Sequence, residues 1–125
     1  MLKKLRDWLQ WKAPKVDLVL ETPVKNRFIE GVFQLYGGWK AQKVSRLECD
    51  LIKVVPGQDP QFIEPVTTVL MSRTIEPNGY DEFPFQYQLP EQLDIEDGAK
   101  YKLQTRLVLE NNTKCFDHDE LIIQN

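Results

Sequence analysis

Between Tyr80 and Pro90 the chain reads Tyr-Asp-Glu-Phe-Pro-Phe-Gln-Tyr-Gln-Leu-Pro, and apolar and polar side chains alternate there more strictly than anywhere else. Phe83, Phe85, Tyr87 and Leu89 share one parity, so in an extended chain they fall on one face, with Glu82, Pro84, Gln86 and Gln88 on the other. Such a segment is a strand with one side against a core and the other in water. At about 1.5–3 kcal/mol for each large apolar side chain fully buried, these residues form a main part of that core. Pro84 has no N–H to give to a ladder, which predicts an edge position or a bulge. Pro90 ends the strand.

The same two-residue period governs nearly everything after residue 15. Val16, Leu18 and Leu20 mark a first strand, and residues 28–36 a second, in which Gly31 signals a bulge or a close backbone approach. Gly37-Gly38 predicts a tight turn into a third strand, where Leu47, Cys49 and Leu51 alternate with Arg46, Glu48 and Asp50; the two strands are expected to form a long hairpin. Pro56-Gly57-Gln58-Asp59-Pro60 is a loop by composition. Residues 62–75, rich in β-branched types, read as one long strand or two short ones divided near Pro65. Pro77-Asn78-Gly79 turns the chain into the strand at 83–89. Tyr101, Leu103, Thr105, Leu107 and Leu109 then alternate with Lys102, Gln104, Arg106, Val108 and Glu110, Asn111-Asn112-Thr113 turns, and residues 121–124 make a last short strand. Seven or so strands, with turn signals at roughly the 8–12-residue spacing of all-β domains, predict a two-sheet antiparallel sandwich.

Only the first fourteen residues depart from this period. Leu2, Leu5, Trp8 and Leu9 recur at helical spacing, Trp11 widens the stripe, and Lys3, Arg6, Asp7 and Gln10 fall opposite. Ala13-Pro14 ends the segment, because a residue before proline is pushed out of the helical region. The chain therefore divides into a short amphipathic helix over 1–14 and a single domain over 15–125. At about 1.5 Å per residue, residues 2–12 span near 17 Å, too short to cross a bilayer. Lys3, Lys4, Arg6, Lys12 and Lys15 against Asp7 give residues 1–15 a net charge of +4, so the remainder carries −7 of a total of −3. Two uses follow for Leu2, Lys3, Lys4, Leu5, Arg6, Trp8, Leu9 and Trp11. The apolar stripe covers one end or face of the sandwich, or the basic segment docks on a partner groove or makes weak contact with an anionic membrane surface through residues 1–12.

A net charge of −3 favours no nucleic-acid partner. Two cysteines, Cys49 and Cys115, form no disulfide framework and no metal-binding spacing, and reduced thiols in a cytoplasmic setting are the plainer reading. Cys49 shares the apolar parity of its strand and reads as a small core residue. Cys115 lies three positions from His118, with nothing in the sequence to supply an orienting group or oxyanion hole. Asp117-His118-Asp119-Glu120 reads as a polar turn before the last strand; its neighbours in an extended chain point in different directions and cannot converge on one ion. Asp94, Glu96 and Asp97 read as a solvated acidic loop. The expectation is no catalytic residue, no cofactor and no metal. The alternative is a small metal- or carbohydrate-binding sandwich, hydrolytic in its strongest form, using Asp117, His118, Asp119 and the acids of 94–97.

Lys15-Val16-Asp17 followed by Leu20-Glu21, Glu30-Gly31-Val32 running to Gly37-Gly38, the run Phe83 to Pro90, and Asp117-His118-Asp119-Glu120-Leu121-Ile122-Ile123 stand in the order and spacing of one family. Over nearly residues 15–125 the chain resembles the amino-terminal half of the bacterial sporulation-control proteins, which are arrestin-like and carry a short basic, apolar segment before their first strand. The resemblance implies an immunoglobulin-like, arrestin-type sandwich that is cytoplasmic, non-enzymatic and regulatory in sporulation, acting through protein partners of unstated identity. The family continues into a second sandwich. A single lobe leaves a sheet face or edge uncovered, so self-association into a homo-oligomer is expected.

Overall fold

The structure, a computed structural model, describes residues 14–93 and 99–123. In chain order its strands are β1 (Lys15–Leu20), β2 (Phe28–Tyr36), β3 (Gln42–Val54), β4 (Gln61–Ile75), β5 (Tyr80–Gln88), β6 (Lys100–Leu109) and β7 (Lys114–Glu120). They make a three-stranded sheet in the order β1-β2-β5 and a four-stranded sheet in the order β4-β3-β6-β7. Every pairing within the sheets is antiparallel. The two layers bury a shared core of the predicted parity: Leu18, Phe33 and Phe85 from one sheet meet Leu47, Leu51, Leu103 and Leu107 from the other. Phe33 and Phe85 lie edge to face, 5.1 Å between ring centres, an arrangement that aromatic quadrupoles favour. No described helix is long and apolar enough to cross a membrane, which says nothing of β-barrels. The predicted N-terminal helix lies outside the described residues.

The opening strand behaves as its alternation predicts. Phe85 and Leu89 are buried and Phe83 and Tyr87 are half-buried against the core. Pro84 on β5 sits opposite Val32 of β2, and among the described residues the other side of β5 has no strand partner, so the missing N–H interrupts no second ladder there. Gly31 is a close approach: a Cβ there would collide with the Val19 carbonyl oxygen.

Two expectations are corrected. The β2–β3 hairpin does not exist, because β2 and β3 lie in different sheets. Gly37-Gly38 crosses between the layers, and a Cβ on Gly37 would collide with the Glu76 carbonyl oxygen of the turn that returns the chain from β4 to β5. The Gly37 N–H donates to Gly79 O at 2.7 Å and the Asn78 N–H to Gly38 O at 3.1 Å, so the two crossings brace each other. The second correction concerns the carboxyl end. Asp117 to Glu120 are not a turn but most of β7, and Leu121 to Ile123 follow it with an isolated parallel bridge from Ile123 to Val24. The apolar period was hidden there because the inward positions of β7 are Cys115, Asp117 and Asp119.

Candidate functional site

Those inward positions are the most unusual chemistry in the molecule. β7 is the last strand of the four-stranded sheet and β1 the first of the three-stranded sheet, and they run side by side at one flank of the sandwich. The Leu18 N–H donates to Asp117 Oδ2 at 2.9 Å across a sequence separation of 99, and the same separation relates the bridged pair Val24 and Ile123. A constant offset means that β1 and β7 run parallel. A side-chain carboxylate thus satisfies an edge-strand donor that no ladder reaches.

One ligand oxygen each from Asp17, Asp117 and Asp119 lies within 4.8 Å of the others. Oδ2 of Asp119 is buried without a hydrogen-bond partner among the described residues. Burial pushes the Asp119 carboxyl up to about 8, helped by its hydrogen bond with Asp117 and by repulsion from Asp117 and Asp17. Asp17 is raised as well, first by burial and then by Asp117, with Lys15 pulling the other way. Three carboxylates this close cannot all be charged in a half-buried setting. The arrangement holds a proton near neutrality, with protonated Asp119 donating to Asp117 while Asp117 accepts from Leu18. Three oxygens are also the beginning of a hard-cation shell, yet they are half or fewer of the 6–8 that calcium takes.

The other predicted groups do not join them. His118 faces outward on β7 and stacks on Phe116, ring centres 6.5 Å apart. Cys115 faces inward, so His118 and Cys115 lie on opposite sides of the strand, and burial pushes the Cys115 thiol up. Cys49 is a fully buried core residue, as its parity predicts; burial pushes its thiol up to about 12, and Thr105 Oγ1 lies 3.7 Å from its sulfur. Asp94, Glu96 and Asp97 lie outside the described residues, as do Leu2, Lys3, Lys4, Leu5, Arg6, Trp8, Leu9 and Trp11. Sequence reasoning missed Asp17, whose parity reads as solvent-facing; only the strand beside it reveals its role.

It also missed a charged row on the outer face of the four-stranded sheet. Arg106 donates through Nε to Glu48 at 2.9 Å and through Nη1 to Asp50 at 2.6 Å, and Arg46 approaches Glu48 at 3.4 Å. Glu48 is held below its ordinary range: burial works to raise it, and the hydrogen bond and charge of Arg106, with Arg46, outweigh that. At the opposite flank, the edge strands β4 and β5 are joined by side chains, with Arg73 to Asp81 at 2.6 Å and Tyr87 to Glu64. Along β4, Phe62 is 57% exposed and Leu70 81%.

Among solved structures the chain is similar to the sporulation control protein Spo0M from Bacillus subtilis, at 22% identity and a TM-score of 0.72, covering 90% of this chain and 50% of that one. The chain thus spans about half the length of that relative. It also matches a superoxide reductase (neelaredoxin) from Ignicoccus hospitalis at 11% identity and a TM-score of 0.46, covering 88% of this chain and 80% of that one. No curated protein matches. A family model described as SpoOM protein matches residues 2–125, and with nearly the whole sequence inside that match the chain belongs to the Spo0M family.

Proposed function

We propose that this chain is a non-catalytic, cytoplasmic, arrestin-type interaction module of sporulation control, and that it binds a protein partner by strand addition along β4. The sheet orders support the immunoglobulin-like part of this reading. The core strands β2-β5 and β3-β6 occupy the places of the paired B-E and C-F strands of an immunoglobulin sandwich, with β4 moved to the sheet of β3. The protonated thiols of Cys49 and Cys115, and the outward turn of His118 away from Cys115, support a binding role over a nucleophilic one.

The observation that carries the proposal is the edge of β4 itself. It is a fifteen-residue strand that, among the described residues, has a ladder on one side only. Its outward side chains include Phe62 and Leu70, both exposed, so backbone donors and apolar anchors lie together as strand addition requires. Leu70→Asp and Phe62→Asp change exposed positions and leave the core intact. In a spore-forming host whose own gene is replaced by these variants, the counts of heat-resistant spores are expected to fall while protein level and melting temperature stay normal. Normal spore counts from well-folded variants would rule out the β4 edge as the functional surface.

A further inference from the structure

The outer face of the four-stranded sheet is covered where the strands themselves supply no cover. Val108 pairs with Arg46 on one side and Lys114 on the other, and Ile52 with Phe62 and Lys102. Both therefore point away from the core-facing residues Leu107 and Leu51 that adjoin them in sequence. Both are nonetheless buried, Val108 at 1% and Ile52 at 7% exposure, and among the described residues they are the two buried apolar ones that do not belong to the core cluster. Asp50, between them on the same face, is 9% exposed. The flanking strands differ: Leu70 on β4 and Phe116 on β7 stay open to solvent. The cover is a stripe along β3 and β6, not a blanket over the sheet.

We propose that residues 2–12 of this chain are the occupant of that stripe, with Leu2, Leu5, Trp8, Leu9 and Trp11 laid over Val108 and Ile52. The path of the chain favours them over any external partner. Described structure begins at Pro14, which is buried, and β1 starts at once beside β7. The offset of 99 between β1 and β7 brings Lys15 to the level of Lys114, which pairs with Val108. A segment leaving Pro14 has only β7 to pass before it reaches Val108. From Val108 to the level of Ile52 is six residues along β6, about 20 Å at the rise of a strand, and residues 2–12 wound as a helix span about 17 Å. Length, starting point and apolar stripe agree. The seat leaves Phe62 and Leu70 free, so it is compatible with strand addition at β4.

The test uses the full chain carrying Trp39→Phe, in which Trp8 and Trp11 are the only indoles. Their fluorescence is expected to be blue-shifted and protected from acrylamide, equally so at every protein concentration and without added vesicles. Adding Val108→Lys is expected to shift the emission red and abolish the protection while the strand signal in circular dichroism is retained. Because Val108→Lys could unfold the sandwich, Trp8→Asp serves as a second variant: it lies in the segment itself and is expected to expose Trp11 in the same way. Indoles that are solvent-exposed in the parent protein overturn the proposal. So does protection that vanishes on dilution, which assigns the stripe to a second copy, or protection that arises only on anionic vesicles. Protection unmoved by both variants overturns it equally.

Discussion

Asp119 is a carboxyl whose surroundings favour its neutral form. Its ordinary pKa is 3.8 and burial beside Asp117 and Asp17 raises it to about 8, so the folded state binds a proton that the unfolded state releases. The stability tied to that proton is complete below about pH 4 and is lost progressively as pH rises toward 8. Asp119→Asn keeps the shape and removes the charge. It is expected to raise stability at pH 8 by about 1–2 kcal/mol, well below what the whole shift would give unscreened at about 1.36 kcal/mol for each pKa unit, because the group is only half-buried. Melting curves from pH 4 to 8 should flatten in the variant; an unchanged slope would mean that Asp119 is not the proton holder. Asp117 has a structural part as well, since it accepts from the Leu18 N–H. Asp117→Ala leaves that donor unmatched and is expected to cost about 1–3 kcal/mol in urea unfolding. Calcium or magnesium at millimolar levels should leave the wild-type melting temperature where it is, whereas a rise would show a cation displacing the proton.

At the scale of elements, the crossing at Gly37 sets how the layers connect. A side chain there meets the Glu76 carbonyl, which is backbone and part of the return turn, so it cannot swing aside. Gly37→Ala is therefore expected to destabilise by more than about 2 kcal/mol, with a fall in melting temperature of several degrees by calorimetry. A neutral result would mean that the β2–β3 and β4–β5 crossings are not interlocked. This crossing also shows why some of the fold was legible in the sequence and some was not. β5 and β6 declared themselves because their residues alternate, with inward positions mostly apolar and outward ones mostly polar, and β2 was legible residue for residue. A Gly-Gly pair suits a tight hairpin and a tight inter-sheet crossing alike, and what separates them is the pairing of β3 with β4 and β6, a long-range choice that no local pattern carries. β7 was misplaced because its inward face carries carboxylates, so the residues that make the site also erased the signal of the strand that holds it. Asp17 was invisible for the same reason: its partners lie a hundred residues away.

The two flanks of the whole molecule are closed by different means. At β1 and β7, backbone is satisfied across the gap, by Asp117 on Leu18 and by the Val24 N–H donating to Ile122 O at 2.7 Å. At β4 and β5 side chains meet, through Arg73 with Asp81 and Tyr87 with Glu64, and among the described residues the outer backbone of β4 has no strand partner. Proline and bulges are devices that blunt such an edge, and β4 carries Pro65 and the left-handed Ser72 at φ 46°. Between them the register with β3 is regular over residues 67–70, ending at Leu70, the most exposed large apolar residue described. A second copy can add its own β4 there, antiparallel and by the same backbone hydrogen bonds that a partner strand would use. We therefore expect the average mass in light scattering to rise with concentration, and Leu70→Lys to restore the monomer by placing a like charge on each copy at the contact. A monomer at every concentration would show that the two devices already suffice to guard the edge, and would remove β4 both as a self-contact and as the strongest candidate for strand addition.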